Sequence, residues 1–203
     1  MCDKLKHINI PKSSQLKEIG FSAFNSSAIE SFFIPSGVKK IESYTFARCE
    51  NLKTIEIPIN SELKSIGEHS FHGSSIENIM IPSEVSLIKN ASFIGCKYLK
   101  NIEISSNSKL RLIGYASFAF SFIEKLVIQS EIIHIGKRSF SDCNNLKSVI
   151  FSSQTKLIDI RKYAFINSSI ETLNLQSKTI SIQRNAFSDC NNLKNVIISR
   201  KTN

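Results

Sequence analysis

The sequence predicts a repeat solenoid in which every unit contributes one short β-strand, and three regularities point to it. Phe24, Phe46, Phe71, Phe93, Phe118, Phe140, Phe165 and Phe187 recur at alternating spacings of 22 and 25 residues. An apolar run of the form Leu/Ile-x-x-Ile-x-Ile begins five or six residues after each phenylalanine. Cys2, Cys49, Cys96, Cys143 and Cys190 are always 47 positions apart, one short plus one long spacing. A fixed period of this size marks stacked structural units.

The apolar runs occupy 5–10, 29–34, 52–57, 76–81, 99–104, 123–128, 146–151, 170–175 and 193–198. Alternation of β-branched and apolar with other residues gives each a strand of about six residues with one buried face. Pro11, Pro35, Pro58 and Pro82 directly follow the first four runs, where a strand should stop. A second apolar pair lies eight and five residues before each phenylalanine: Leu16 and Ile19, Val38 and Ile41, Leu63 and Ile66, Val85 and Ile88, Leu110 and Ile113, Ile132 and Ile135, Leu157 and Ile160, with Thr179 and Ile182 as a weakened copy. A unit of 22 to 25 residues encloses no core alone, but stacking aligns each apolar position into a column that neighbouring units bury. No linker-like cluster of Gly or Pro interrupts residues 1–203, so a single array of about nine units is expected, built from a 47-residue pair. The first strand starts at Leu5 and the last ends at Ile198, so uncapped ends are expected: those of a segment of a longer array, of a chain whose ends are covered by another chain or associate end to end, or of a marginally soluble chain.

The unit, roughly L-x-x-I-x-I-P followed by V-x-x-I-G-x-x-A-F-x-x-C, resembles the repeats of the BspA-like leucine-rich-repeat family, the surface-antigen type of anaerobic bacteria and parasitic protists. Leu52 to Pro58, Leu63 to Gly67 and Ser70-Phe71 carry the likeness, which extends over essentially the whole chain. It implies a leucine-rich-repeat solenoid that is mostly β with little helix. Parallel strands would form a concave sheet, and the I-G-x-x-A-F stretch a convex face of short strands, turns or helical turns. The resemblance further implies a cell-surface antigen or adhesin-like role in which host or matrix proteins are bound. Glu42, Lys89, Arg161 and Gln183 replace the glycine of the pattern, so that turn cannot everywhere depend on glycine's positive φ.

With 41% hydrophobic residues, the chain has no run near the roughly 18 to 20 apolar residues of a membrane helix. No apolar leader follows Met1, so no signal peptide or anchor is expected. Strands about 4.8 Å apart place successive cysteines about 9–10 Å apart, beyond the roughly 7 Å limit for a disulfide. Cys49, Cys96, Cys143 and Cys190 are therefore expected as free, buried thiols acting as small apolar residues. Ser26, Gly73, Phe120 and Asn167 stand near the same slot in the interleaved units, which makes no metal shell. His69 and His72 are three apart, but the frame gives His69 a position shared with Tyr44, Ala91, Ala116 and Arg138, a variable surface site. Asn25, Asn90 and Asn167 begin glycosylation sequons, a weak sign of surface exposure. No nucleotide-binding, metalloprotease or nucleophile motif is present, so a non-enzymatic chain without a cofactor is expected.

The second residue of each run alternates without exception: Lys6, Glu30, Lys53, Glu77, Lys100, Glu124, Lys147, Glu171 and Lys194. In register, each lysine has glutamate neighbours, an arrangement suited to fixing unit order. Adding the other outward positions gives six basic residues, the ladder lysines plus Lys125, against six acids, the ladder glutamates plus Glu56 and Glu103. The concave sheet should thus be neutral, with the net +9 lying elsewhere, in segments such as Lys39-Lys40, Lys137-Arg138, Arg161-Lys162 and Arg200-Lys201. Without an aromatic stacking platform this disfavours nucleic acid as a partner. At the fifth position stand Asn9, Phe33, Glu56, Met80, Glu103, Val127, Ile150, Asn174 and Ile197. Strand alternation points these outward, where Phe33, Glu56, Met80, Glu103, Val127 and Ile150 are either a contact stripe for a protein ligand or packing for neighbouring lysine stems. Glu56 and Glu103 are two units apart with Met80 between them, a poor pair for glycoside hydrolysis. The expected function is a protein-binding repeat scaffold at the cell surface; the alternative is an intracellular interaction scaffold, suggested by free thiols and the missing signal.

Overall fold

The computed structural model describes residues 4–128, 131–152, 155–175 and 181–198; Cys2, Thr179 and the Arg200-Lys201 pair lie outside them. Each apolar run after the first yields a strand: β2 (Ser31–Phe33), β4 (Thr54–Glu56), β6 (Asn78–Ile81), β8 (Asn101–Ile104), β10 (Lys125–Ile128), β12 (Ser148–Phe151), β14 (Thr172–Leu175) and β16 (Asn195–Ile198). These strands have three or four residues rather than six, and the run at 5–10 forms none. The apolar pairs form two-residue strands: β1 (Glu18–Ile19), β3 (Lys40–Ile41), β5 (Ser65–Ile66), β7 (Leu87–Ile88), β9 (Leu112–Ile113), β11 (His134–Ile135), β13 (Asp159–Ile160) and β15 (Ser181–Ile182). Odd strands make one eight-stranded parallel sheet in sequence order; even strands make a six-stranded parallel sheet from β6 to β16 and a separate pair, β2 with β4. The chain is thus a parallel β-solenoid, a coil that visits the two sheets in turn, with no helix among the described residues.

Tight turns around each phenylalanine form the rest of the convex side. Their amides alternate between two destinations: Ser22, Phe24 and Ser26 donate to Ser43, Thr45 and Ala47 of the next unit, while Ala23, Asn25 and Ser27 donate three residues back within their own turn. This alternation requires a left-handed residue two positions before and two after the phenylalanine. The positions before hold Ser22, Tyr44, His69, Ala91, Ala116, Arg138, Tyr163 and Asn185, all at φ between 50° and 61°. Those after hold Ser26, Arg48, Gly73, Gly95, Phe120, Asp142, Asn167 and Asp189. For an L-residue this region costs roughly 1–2 kcal/mol, of which glycine's greater unfolded-state freedom offsets about 0.4–1 kcal/mol. Arg48→Gly, at an exposed site where the next two units already carry glycine, should therefore raise stability by about 0.5–1 kcal/mol, measured by urea unfolding.

The core fills the space between sheets and turns. Phe46, Phe71, Phe93, Phe118, Phe140 and Phe165 are wholly buried, and the eight rings from Phe24 to Phe187 stack with centroids 4.9–5.5 Å apart and planes within 15°. Beside them runs a column of buried hydroxyls. Thr45 donates to the carbonyls of Glu42 (2.7 Å) and Gly20 (3.1 Å), and Ser92 to those of Lys89 (2.7 Å) and Gly67 (2.9 Å), each bridging its own unit to the one before. Such bonds give carbonyls of two successive coils a side-chain donor and tie the coils together.

Candidate interaction surfaces

In the runs from 29–34 to 170–175, positions one, four and six face the core and positions two, three and five lie on the open face of the even-strand sheet, while in the last run Val196 and Ile198 are exposed. At position two, all eight steps from Lys6 to Lys194 are closed by a ladder residue's amide donating to the carbonyl of the preceding ladder residue, at 2.8–3.2 Å. The backbone therefore sets lysine and glutamate alternately in one column. Among the described residues, side-chain ion pairs within 4 Å form only at its two ends, Lys6–Glu30 and Glu171–Lys194, both at 3.9 Å. Pairs this exposed contribute little individually.

Position three is a column that the run pattern marks only by its polarity: Ser31, Thr54, Asn78, Asn101, Lys125, Ser148, Thr172 and Asn195. The Asn101 side-chain amide donates to the Asn78 side-chain oxygen at 2.7 Å. At position five the register pairs Phe33 with Glu56, Met80 with Glu103, and Val127 with Ile150. Phe33, Met80, Val127 and Ile150 are half-buried, whereas Glu56 and Glu103 are exposed. Strand pairing lapses between β4 and β6. Spanning that lapse is a shallow groove of about 450 Å³, lined by Lys53, Thr54, Asn78, Met80, Asn101 and Glu103 among others.

The four described cysteines are free and buried. Each thiol donates to the carbonyl of the phenylalanine one unit back: Cys49 to Phe24 (2.9 Å), Cys96 to Phe71 (3.0 Å), Cys143 to Phe118 (3.2 Å) and Cys190 to Phe165 (3.1 Å). The residues sharing this slot in the alternate units are Ser27, Ser74, Ser121 and Ser168, one position beyond Ser26, Gly73, Phe120 and Asn167. Their hydroxyls lie 3.4–3.6 Å from the sulfurs. Counting from the phenylalanines finds the slot, since serine and cysteine alike stand three residues after the ring. Burial pushes the Cys96 and Cys143 thiols up to about 12, and Cys49 upward as well. They stay protonated at neutral pH, the wrong state for a nucleophile or metal ligand.

On the turn face, His69 stacks on Tyr44 at 4.9 Å and lies 5.5 Å from His72 between ring centroids. Burial first, then the charges of His69 and Arg48, lower the His72 pKa. Among the described residues no three His, Cys, Asp or Glu side chains converge as a metal site would require. Among them, too, no helix is long and apolar enough to cross a membrane.

A family model described as the BspA type leucine-rich repeat region matches residues 1–100 and 111–203, in 6 copies. No curated protein matches the chain in sequence. Among solved structures, a leucine-rich repeat protein from Bacteroides ovatus superimposes with a TM-score of 0.56 at 21% identity, covering 94% of this chain and 63% of that one. The pneumococcal vaccine antigen PcpA superimposes with a TM-score of 0.53 at 19% identity, covering 93% of this chain and 69% of its own. At these identities the likeness is one of fold. The chain spans less than two thirds of the Bacteroides ovatus protein.

Proposed function

The chain belongs to the BspA-type leucine-rich-repeat family, a scaffold fold typical of protein-interaction proteins, and from that premise we propose that its even-strand sheet is a docking face for a protein ligand. The observation that carries this reading is the fifth-position column. Phe33, Met80, Val127 and Ile150 stand half-exposed on a sheet whose charges balance, with Glu56 and Glu103 interspersed. Apolar groups aligned among balanced charges give a partner area to bury while the charges select register. Lys125 apart, the residues at position three are uncharged and polar and separate this stripe from the lysine stems of the ladder.

Val127→Gln with Ile150→Gln replaces two half-exposed apolar groups by uncharged polar ones without setting like charges opposite one another, so the variant should fold with nearly unchanged melting. Capture of ligand from extracellular-matrix extract should fall at least about tenfold. Undiminished capture would remove this face from the reading.

Family resemblance to surface antigens, and a fold shared with a protein described as a vaccine antigen, favour an adhesin-like role on the cell exterior. The free thiols do not favour the cytosolic alternative, because burial shields them from oxidant in either compartment. Labelling of intact, unpermeabilised cells by antibody to this chain is the expected result; labelling only after permeabilisation would favour the intracellular scaffold.

The charge column has a separate role in the same proposal: it fixes the order of short and long units. Lys100→Glu sets three glutamates in a row, with Glu77 and Glu124, whereas Lys100→Gln only removes a charge. The reversal should lower the melting temperature more than the neutralisation does, and more at low salt than at high. Equal melting of the two variants would leave the ladder without a register function.

A further inference from the structure

The net charge of +9 is not spread evenly over the solenoid. The second, third and fourth positions before the phenylalanine form three adjoining columns on the turn face. Over the last three units these positions hold Gly136, Lys137 and Arg138, then Arg161, Lys162 and Tyr163, then Gln183, Arg184 and Asn185. Five of the nine are cations and none is an acid. Two of the pairs are 24 residues apart in sequence, yet stacked phenylalanines 5.2 and 5.1 Å apart set their units side by side. The Arg138 amide donates to the Lys162 carbonyl at 3.3 Å, and the Lys162 amide to the Gln183 side-chain oxygen at 3.2 Å. Lys137, Arg138, Lys162 and Arg184 are exposed. Of these five cations, only Arg161 has a carboxylate partner among the described residues, Asp159 at 3.5 Å, which also faces His134 at 2.9 Å. Asp142, the nearest acid across the turn in sequence, is held by the Asn167 side chain at 2.8 Å. In the units of Phe46 and Phe71 the same columns carry Glu42 and Glu68 instead, so the cluster is local and not a property of the repeat.

Cations carried on coils stacked about 5 Å apart repel one another, and a polyanion relieves that repulsion while releasing its own counterions. The geometry also narrows the kind of polyanion. Single-stranded nucleic acid binds by stacking its bases on open rings. The ring inside this cluster, Tyr163, is covered by the Arg138 guanidinium at 5.4 Å. Duplex readout needs a helix or ribbon that enters a groove, and this face consists of flat two-residue strands and tight turns. What remains to be recognised is anionic groups alone, spaced along a flexible chain. We infer that Lys137, Arg138, Arg161, Lys162 and Arg184 form a binding site for a sulfated polysaccharide, on the face opposite the proposed protein-docking sheet.

The test uses the full chain and a heparin-derived octasaccharide, titrated calorimetrically at 50 and 200 mM salt. Lys137→Gln, Arg138→Gln and Lys162→Gln combined should weaken binding at least about tenfold and flatten its salt dependence. A charge-matched control, Lys12→Gln, Lys17→Gln and Lys39→Gln, should weaken it less than about threefold. Thermal melts establish that both variants are folded. Equal weakening by the two variants, or no binding by the parent chain, would overturn the assignment. So would equal affinity for a single-stranded octanucleotide, which would make the partner a nucleic acid, or binding to anionic vesicles in place of the oligosaccharide. Val127→Gln with Ile150→Gln should leave octasaccharide affinity unchanged, so failure of one surface is distinguishable from failure of the other.

Discussion

Phe118→Ala is expected to lower the unfolding free energy by about 3–5 kcal/mol. The ring is wholly buried and sandwiched between Phe93 at 4.9 Å and Phe140 at 5.2 Å, with planes within 6° of each. Its removal costs the transfer of an aromatic side chain and leaves a cavity that the neighbours cannot close. Each of those rings is held at its own level by turn amides, Phe93 by the Ser117 carbonyl and Phe140 by that of Ala164. Equilibrium urea unfolding measures the loss. Because each unit contacts mainly its neighbours, the gap should also split the transition, so that the two halves unfold at separate urea concentrations. Phe187→Ala, at a half-buried terminal ring, should cost less and keep a single transition. A loss below about 1 kcal/mol for Phe118→Ala would show that the column is not the structural spine.

Gly136→Ala should destabilise by about 2–3 kcal/mol. A methyl built there would stand 2.5 Å from the carbonyl oxygens of both Ile113 and Gly114, backbone atoms that cannot turn aside as a side chain would. Gly20→Ala supplies the control, since nothing lies within 4 Å of its methyl, and should leave the melting temperature nearly unchanged. Loss of stability in both variants alike would point to backbone freedom rather than to close approach as the reason for these glycines. The two glycines occupy the same repeat position, so the contrast also tests how individually the units are packed.

That position shows where one-dimensional reading stops. Glu42, Lys89, Arg161 and Gln183 at the glycine site show correctly that positive φ is not needed there, since no glycine at this position is left-handed. They do not show that the need is for closeness to the preceding unit, which depends on how neighbouring coils sit on one another. The phenylalanine column, the apolar pair and the strand-bearing runs were legible because their period is strict and each position is buried in nearly every unit. Strand length was not, because pairing begins at the third residue of each run and is limited by how far adjacent coils stay parallel. The run at 5–10 matches the pattern yet forms no strand. The serine companions of the cysteines are legible once positions are counted from the phenylalanine, at three residues beyond it in every unit, rather than by halving the 47-residue cysteine spacing. For the proposed surfaces, the sequence located the fifth-position column and the charge alternation. The basic cluster needed coordinates, because Lys137, Lys162 and Arg184 become neighbours only through stacking.

The turns have a further consequence. Their hydrogen bonds run from main chain to main chain, alternately within a coil and to the next, and make no demand on the side chains that project from them. Serine, tyrosine, histidine, alanine, arginine and asparagine all occupy one equivalent left-handed position in this chain. The convex edge therefore behaves like a rack with fixed sockets about 5 Å apart along the axis, in which the fittings can be exchanged without rebuilding the frame. A new recognition surface could be written onto it by choosing letters at those sockets, with the hidden phenylalanine column continuing to hold the shape.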